Sequence, residues 1–288
     1  MDRELAKYEG QYDCILFFGA MSAPGYHLNT KMFVFTDSCR WLSSRNKHDE
    51  SCHFRSEREA QEWLKLEGDV YRSASRVFVG SQFVRGAIVD NYAIDSKRVV
   101  VSHFGAGFGF GDSYEKSFDG QTILYVGKGD FEKKGGVVLL KAFELIRRQV
   151  PEAQLHIVGQ EHLPQMPGLT NHGFVGDRTT LVNLMRKAHV LTLPSLVDRF
   201  GIVLLEAMAA ATPCVSSDYG AMPEIVGDAG LVAPCNDEAA LATAIVTILK
   251  DADLARRMGE RGRDRYLQTY HWDAVWNTVR SEIRSAMT

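Results

Sequence analysis

Two carboxylates eight residues apart, Asp198 and Glu206, stand in a segment whose residue types suit a ligand site. The apolar run 190–193 before them predicts a buried strand, and Gly201 between them allows a close approach of the backbone. Residues 202–211 are strong helix formers, and the Thr-Pro pair that follows them ends a helix. The segment therefore predicts a strand, a tight turn and a helix that share one ligand site.

The start of that predicted helix favours an anion. The first amides of a helix have no partner within it, and they lie at the positive end of the helix dipole. Amides in this position commonly hold a phosphate group. The residues that carry them here are Phe200, Gly201, Ile202 and Val203.

Two lysines have the spacing to neutralise a diphosphate. Lys128 follows Gly127 at the end of another apolar run, and Lys134 stands six residues later at the start of the next predicted helix. Two ammonium groups near one helix start would balance the charge of a diphosphate. The alternative is that these lysines, like their neighbour Lys133, are solvated surface charges.

Glu206 is predicted to bind hydroxyl groups. A carboxylate accepts hydrogen bonds from two vicinal hydroxyls, which is the recognition expected of a ribose. Its neighbours in the predicted helix are apolar, so the helix is expected to be buried nearly all round, where a carboxylate without a ligand is costly. The alternative is that Glu206 occupies the solvent-facing position of the helix.

The C-terminal half alternates apolar runs with helical patterns, which predicts a doubly wound parallel sheet. The predicted strands lie near 122–127, 153–158, 190–193, 213–216 and 230–232. The predicted helices lie near 135–149, 178–188, 202–211, 222–227 and 237–250. In such sheets ligands bind beyond the carboxyl ends of the strands, where we expect the loops carrying Gly127, Gly159, Gly176 and Ser195 to converge.

The N-terminal part predicts a smaller α/β domain. Its predicted strands lie near 12–18, 31–36, 76–79 and 98–101, with a long helix near 56–75. The glycines of 105–111 are followed by polar loop residues instead of a helix, so this segment predicts a linker and not a dinucleotide-binding loop. We therefore place one domain at 1–110, a second at 111–272 and a final helix at 273–288.

Composition excludes several classes of function. The 288 residues have a net charge of -3 and a pI near 6.3, which gives no support to nucleic-acid binding. Five scattered cysteines indicate reduced thiols, and no signal peptide or membrane-spanning run is visible. A cytoplasmic protein is expected, with peripheral membrane contact and oligomeric state left open. The acid pair in Asp251-Ala252-Asp253 is interpreted as a helix cap and not as a metal site.

The ordered motifs resemble the donor-site signature of family 4 glycosyltransferases, also called glycosyl transferases group 1. The resemblance rests on Pro-Ser, an acid, Phe-Gly, Glu-Ala-Met-Ala and Thr-Pro, and it extends over roughly 76–280. It implies two Rossmann-like domains of the GT-B type that face each other across a crevice. Compared with the family, the N-terminal domain is truncated by several tens of residues. The helix 273–288 resembles the one that crosses back to that domain.

The resemblance also implies roles for the donor-site residues. The donor diphosphate would be held by Lys128 and Lys134, which would also stabilise the leaving nucleoside diphosphate. The family more often has Arg at the position of Lys128. Glu206 would bind the ribose. Val175, beside Phe174, would contribute to the nucleobase wall.

Two further acids take their roles from the resemblance. Asp198 replaces a glutamate that contacts the transferred sugar, although an Asp at this position also caps a helix. Asp37 ends a strand where the family often has a polar residue facing the crevice, although an Asp there is also an ordinary turn residue. Both acids are counted, with the two lysines, as candidate catalytic residues.

The resemblance implies a retaining glycosyltransferase of the hexosyltransferase type. It would transfer a sugar from a nucleoside-diphosphate donor to a hydroxyl acceptor of unknown identity, without a cofactor or metal. Two alternatives stay open, namely a non-catalytic nucleotide-sugar-binding or regulatory subunit and a related sugar-nucleotide epimerase. The sequence names neither the nucleobase nor the sugar.

Overall fold

A computed structural model describes residues 10–20, 30–46, 54–106 and 116–288. Two compact units make up the chain, one of Met1–Phe104 with Asp273–Thr288 and the other of Gly105–Trp272. The boundary placed at 110/111 from the sequence, and most of the predicted linker, lie outside the described residues. Cys52 also lies outside the described residues, whereas the other four cysteines, Cys14, Cys39, Cys214 and Cys235, are free thiols.

The first unit contains a parallel sheet of four strands in the order β1-β2-β3-β4. The strands are β1 (Cys14–Phe18), β2 (Lys31–Thr36), β3 (Arg76–Val79) and β4 (Val99–Val101). Among the described residues of this unit, three helices lie between the strands in sequence, at Arg40–Arg45, Glu57–Ser73 and Gln82–Tyr92.

Each face of this sheet has its own apolar core. Side chains alternate along a strand, so Met32 and Val34 lie in one buried cluster while Phe33 and Phe35 lie in another. The second cluster includes Val275 of the C-terminal helix, Trp272–Met287. The C-terminal helix therefore buries a face of the sheet that would otherwise be apolar and exposed.

The second unit contains a parallel sheet of six strands in the order β10-β9-β8-β5-β6-β7. The strands are β5 (Thr122–Val126), β6 (Gln154–Val158), β7 (Leu169–Asn171), β8 (Val190–Leu193), β9 (Cys214–Ser217) and β10 (Gly230–Ala233). The order along the chain reverses between β5 and β8, as in doubly wound nucleotide-binding sheets. The predicted doubly wound parallel sheet is confirmed.

The helices of this unit cover both faces of the sheet. They are Gly136–Gln149, Arg178–Lys187, Ile202–Ala209, Met222–Val226, Glu238–Lys250 and Ala252–Arg265, followed by a π-helical turn at Tyr266–Tyr270. Leu139 and Phe143 of the first helix and Ile245 of the fifth pack with β5 and β6 in one buried core. Asp251 caps the helix that begins at Ala252 by accepting a hydrogen bond from the Leu254 amide at 2.8 Å, as predicted.

Candidate functional site

The candidate site lies in the second unit, where β5 and β8 end side by side. The chain leaves β5 through Gly127 and Lys128, and it leaves β8 through Pro194 and Ser195. The strand order reverses between these two strands, and doubly wound sheets bind their ligands beyond the carboxyl edge at such a point. The sequence predicted this edge as the ligand site.

Lys134 and Asp198 form an ion pair at this edge. Lys134 Nζ donates to Asp198 Oδ2 at 2.7 Å, although the two residues are 64 positions apart. The Lys134 side chain is 28% exposed and the Asp198 side chain 14% exposed. Partial burial strengthens such a pair relative to one at the open surface. The pair brings together two of the residues predicted to act on the donor.

The backbone of the two loops is also joined. The amides of Leu196 and Val197 donate to the Lys133 carbonyl at 2.8 and 3.1 Å. Gly135 has φ +73°, and a Cβ on it would lie 1.9 Å from the Pro194 carbonyl oxygen. Glycine is thus required for the two loops to approach this closely.

Tyr125 supports the first loop from below. Its side chain is fully buried, and a Cβ on Gly127 would lie 2.4 Å from the Tyr125 hydroxyl oxygen. Burial raises the pKa of Tyr125, and the negative charges of Asp198 and Asp130 raise it further. The hydroxyl is therefore a neutral, buried group beneath the lysine-bearing loop.

The helix Ile202–Ala209 begins at Gly201, which has φ +74°. Asp198 Oδ1 accepts from the amides of Gly201 at 2.8 Å and Phe200 at 3.2 Å. Within the described residues, the amides of Ile202 and Val203 donate to no carbonyl or side chain. Of the four amides predicted to face an anion, two are thus used by Asp198 and two remain available to a ligand.

Glu206 lies in the buried part of this helix. Its exposed fraction is 8%, and Leu204 through Ala209 are all buried, as predicted from their apolar types. The buried guanidinium of Arg263 donates to the Ala209 carbonyl at 2.6 Å. Burial raises the pKa of Tyr266, Arg263 lowers it and Glu206 raises it, so both charges lie within electrostatic range of that hydroxyl. A positive charge near Glu206 was not expected from the sequence.

The loops after β5 and β6 are connected by a residue that the sequence did not single out. Gln160 Nε2 donates to the carbonyls of Gly127 at 2.8 Å and Gly129 at 3.3 Å. Gly159, at φ +100°, brings the end of β6 against Gly127, where a Cβ would lie 2.4 Å from its oxygen. The Gly-Gln pair directly after a predicted strand is the signal that would have indicated this contact.

Lys128 lies on the open side of the same edge. It is exposed, and its Nζ lies 5.4 Å from the ring centroid of Phe174, in a cation–π contact. Phe174 itself is 67% exposed, and the adjacent Val175 is half-buried. The predicted base-wall residues and the first lysine therefore lie together.

Asp37 belongs to the first unit and follows β2 directly. Its side chain is exposed, and the turn there is closed by Thr36 Oγ1, which donates to the Ser38 carbonyl at 2.7 Å. Its predicted role at the active crevice stays a prediction.

The described residues, 10–20, 30–46, 54–106 and 116–288, contain neither a cluster suited to a metal ion nor a helix suited to span a membrane. No group of three or more His, Cys, Asp or Glu side chains in these residues is arranged to hold a metal ion. None of the helices in the same residues has the length and apolar character needed to cross a membrane.

The match to a known protein family lies within the second unit. Residues 120–251 match the sequence model of the family described as Glycosyl transferases group 1. The phosphatidyl-myo-inositol mannosyltransferase of Mycolicibacterium smegmatis is 36% identical over 174 residues, which cover 57% of this chain and 44% of that protein. The glycogen synthase of Mycobacterium tuberculosis is 34% identical over 165 residues, which cover 53% of this chain and 40% of that protein. The chain thus matches less than half the length of either relative.

The fold is similar to that of solved glycosyltransferase structures. Sucrose-phosphate synthase from Thermosynechococcus elongatus aligns over 99% of this chain and 76% of its own, with a TM-score of 0.74 and 23% identity. At this level of identity the likeness concerns the fold. It confirms the predicted α/β class with two parallel sheets of the GT-B type.

Proposed function

We propose that this chain, whose residues 120–251 match the model of the glycosyl transferases group 1 family, transfers a sugar from a nucleoside-diphosphate donor to a hydroxyl acceptor, with retention of configuration. The observation that carries the proposal is the shared carboxylate at the end of β8. Asp198 binds both the Lys134 ammonium and the turn that starts the helix Ile202–Ala209. A cation and free helix amides thus lie side by side, as a diphosphate requires.

The donor diphosphate is bound by charge and by backbone amides. Lys134 and Lys128 neutralise its oxygens, and the amides of Ile202 and Val203 donate to it at the positive end of the helix dipole. A lysine presents a point charge, so it follows a phosphate that moves as the bond to the sugar lengthens. These residues therefore stabilise the leaving group more than the bound substrate.

The nucleoside is bound beside the diphosphate. Glu206 accepts hydrogen bonds from two ribose hydroxyls, and this use of a buried carboxylate compensates part of its desolvation. The nucleobase packs near Phe174, whose large apolar side chain is exposed at this edge, and near Val175. Neither residue type selects one base over another.

Transfer proceeds without a covalent intermediate on the protein. The acceptor oxygen attacks the anomeric carbon on the face from which the phosphate leaves, and the bond from that carbon to the phosphate oxygen breaks. The acceptor proton passes to the leaving phosphate. The protein contributes by holding the donor in place and by stabilising the charge that develops on the diphosphate. The transferred unit is a hexose, because a mannosyltransferase is among the relatives.

Calorimetric titration with UDP, GDP and ADP, each with and without EDTA, tests the donor site. We expect one nucleotide to bind, with the same affinity when EDTA is present. The matching sugar nucleotides are then incubated with hydroxyl acceptors and without them. Glycosylated acceptor supports the proposal, conversion of the donor alone indicates an epimerase, and binding without turnover indicates a regulatory subunit. No binding by any nucleotide would contradict the proposal.

A further inference from the structure

We propose that Asp198 is a positioning residue and not a contact of the transferred sugar. Its carboxylate holds the Lys134 ammonium against the start of the helix Ile202–Ala209, so that cation and amides form one diphosphate-binding surface before the donor arrives. The inference rests on the proposed function, because it assigns a role within the donor site.

The Asp198 carboxylate accepts three hydrogen bonds from within the protein. Oδ1 accepts from the amides of Gly201 and Phe200, and Oδ2 accepts from Lys134 Nζ. Three of the roughly four lone-pair positions of a carboxylate are therefore used inside the protein. With only 14% of its side chain exposed, Asp198 has little surface left for a sugar hydroxyl.

The length of the side chain fits this role. An aspartate oxygen reaches the amides two and three residues further along the chain, which is the geometry of an Asx turn. A glutamate adds one methylene group, so its carboxylate would be displaced from those amides. The departure from the family's glutamate thus suits the local bonds of this loop.

Backbone hydrogen bonds beside the Lys134–Asp198 pair hold the two residues in place. The backbone bonds from Leu196 and Val197 to the Lys133 carbonyl already join the two loops. The Asp198 bond to Lys134 extends that connection to the side chain that meets the ligand. One N–H group of the ammonium is used by Asp198, and the other two remain for phosphate oxygens. A preformed arrangement of this kind lowers the entropy lost when the diphosphate binds.

A positioning role and a sugar-contacting role predict different results for a nucleoside diphosphate that lacks the transferable sugar. A sugar contact affects only the sugar nucleotide, since the nucleoside diphosphate lacks the group that it touches. A positioning residue acts through Lys134 and the helix start, so its loss weakens both ligands by the same factor.

The test compares Asp198→Asn and Asp198→Glu with the wild type and with Asp130→Asn as a matched control. Asp130 pairs with the Lys133 ammonium at 3.4 Å and accepts from the Lys133 amide at 3.0 Å, a bond that the asparagine oxygen keeps, and it is not bonded to the Lys134 ammonium. Calorimetry measures the Kd of the nucleoside diphosphate that the wild type binds and of its sugar nucleotide. We expect both Asp198 variants to weaken both ligands equally, by about tenfold, and the control to change neither more than twofold.

A double-mutant cycle with Lys134→Met adds a second measurement. If Asp198 acts through Lys134, then Asp198→Asn has little further effect on nucleotide affinity once Lys134 is replaced. Circular dichroism checks that each variant is folded. The Asp198→Glu variant, measured alone and in the Lys134→Met background, keeps the inference testable if Asp198→Asn does not fold.

The outcomes separate the inference from the proposed function. A loss confined to the sugar nucleotide, or full affinity in Asp198→Glu, would overturn the positioning role while leaving the donor site intact. Additive losses in the cycle would also overturn it. No nucleotide binding by the wild type would overturn the proposed function and the inference with it.

Discussion

The Pro194 carbonyl oxygen occupies the space where residue 135 would carry a side chain, only 1.9 Å from an ideal Cβ on Gly135. This contact joins the loop after β8 to the start of the helix Gly136–Gln149. It leaves room for Lys134 and Asp198 to meet at the adjacent position. The geometry of the proposed donor site therefore depends on a glycine that carries no functional group.

Gly135→Ala is expected to disrupt this contact. The added methyl group meets backbone, which cannot rotate away, and φ +73° is also unfavourable for alanine. We expect a loss of more than ~2 kcal/mol in unfolding free energy and a loss of nucleotide binding. Urea denaturation and calorimetry measure the two effects.

Gly129→Ala is the matched control for this substitution. Gly129 also has positive φ, at +93°, but nothing lies within 4 Å of its Cβ position. The expected cost is the conformational one alone, about 1–2 kcal/mol. Equal losses in the two variants would mean that the approach of Pro194 is not what requires glycine at position 135.

Lys134→Ala is expected to reduce turnover more than donor affinity. The charge on the leaving diphosphate grows in the transition state, so the ammonium contributes most there. We expect kcat to fall by about a hundredfold and the Kd of the nucleoside diphosphate to rise by about tenfold. Steady-state kinetics and calorimetry provide both values.

The neighbouring Lys133→Ala variant controls for loss of a surface charge. Lys133 pairs with Asp130, and its backbone carbonyl, which the substitution preserves, accepts the bonds from the second loop. The kcat and the Kd of the nucleoside diphosphate should both stay within twofold of the wild-type values. Comparable losses at the two positions would remove Lys134 from the diphosphate site.

Glu206→Gln is expected to weaken binding through the ribose. The amide keeps the shape of the side chain but loses the charge that strengthens two hydrogen bonds, so the Kd of the nucleoside diphosphate should rise about tenfold. The 2′,3′-dideoxy analogue lacks the hydroxyls, and its Kd should not change. Glu144→Gln, on an exposed helix position, serves as the control. An equal loss for both nucleotides would contradict ribose recognition by Glu206.

Acidification is expected to destabilise the second unit through a histidine pair. His156 Nδ1 and His172 Nε2 lie 2.9 Å apart. Burial lowers the pKa of His156 below 6.5, and the charge of His172 lowers it further. As the pH falls below 6.5, the unfolded chain therefore binds a proton that the folded chain does not. The unfolding free energy should fall over that range and reach a plateau below the folded pKa.

Urea denaturation at pH values from 8 to 5 measures this effect. His156→Asn should show a smaller loss of stability on acidification than the wild type. His162→Asn replaces an exposed histidine and should behave like the wild type. If all three proteins lose the same stability between those pH values, the pair does not contribute to the pH dependence.

Strands were predicted well where both faces are buried. β5 and β8 are apolar except for one threonine each, which is the pattern of a strand covered by helices on both sides, and β6 ends in the buried pair Ile157 and Val158. β7 was not predicted, because its three residues are partly exposed and lie at the edge of the sheet. The helices Arg40–Arg45 and Gln82–Tyr92 were also missed, since they are short or only weakly amphipathic.

The predicted helix 202–211 ends earlier, at Ala209. Ala211 has φ +53°, and the Thr212 amide donates to the Ala207 carbonyl at 2.8 Å, so the chain turns before the Thr-Pro pair. A left-handed alanine is unusual, and its residue type gave no signal of it. The expectation for this boundary was therefore wrong by two residues.

The α/β class, the edge of the sheet expected to bind a ligand and the residue types that suit a diphosphate can all be predicted from the amino-acid sequence. These follow from local patterns, namely apolar runs, glycines at turns and charges at predicted helix starts. The pairing of the charges, in contrast, depends on the three-dimensional fold. Lys134 and Asp198 are 64 positions apart, and Arg263 reaches the helix of Glu206 from 54 positions beyond Ala209. Such contacts depend on the strand order and on loop approach distances, which no local pattern encodes.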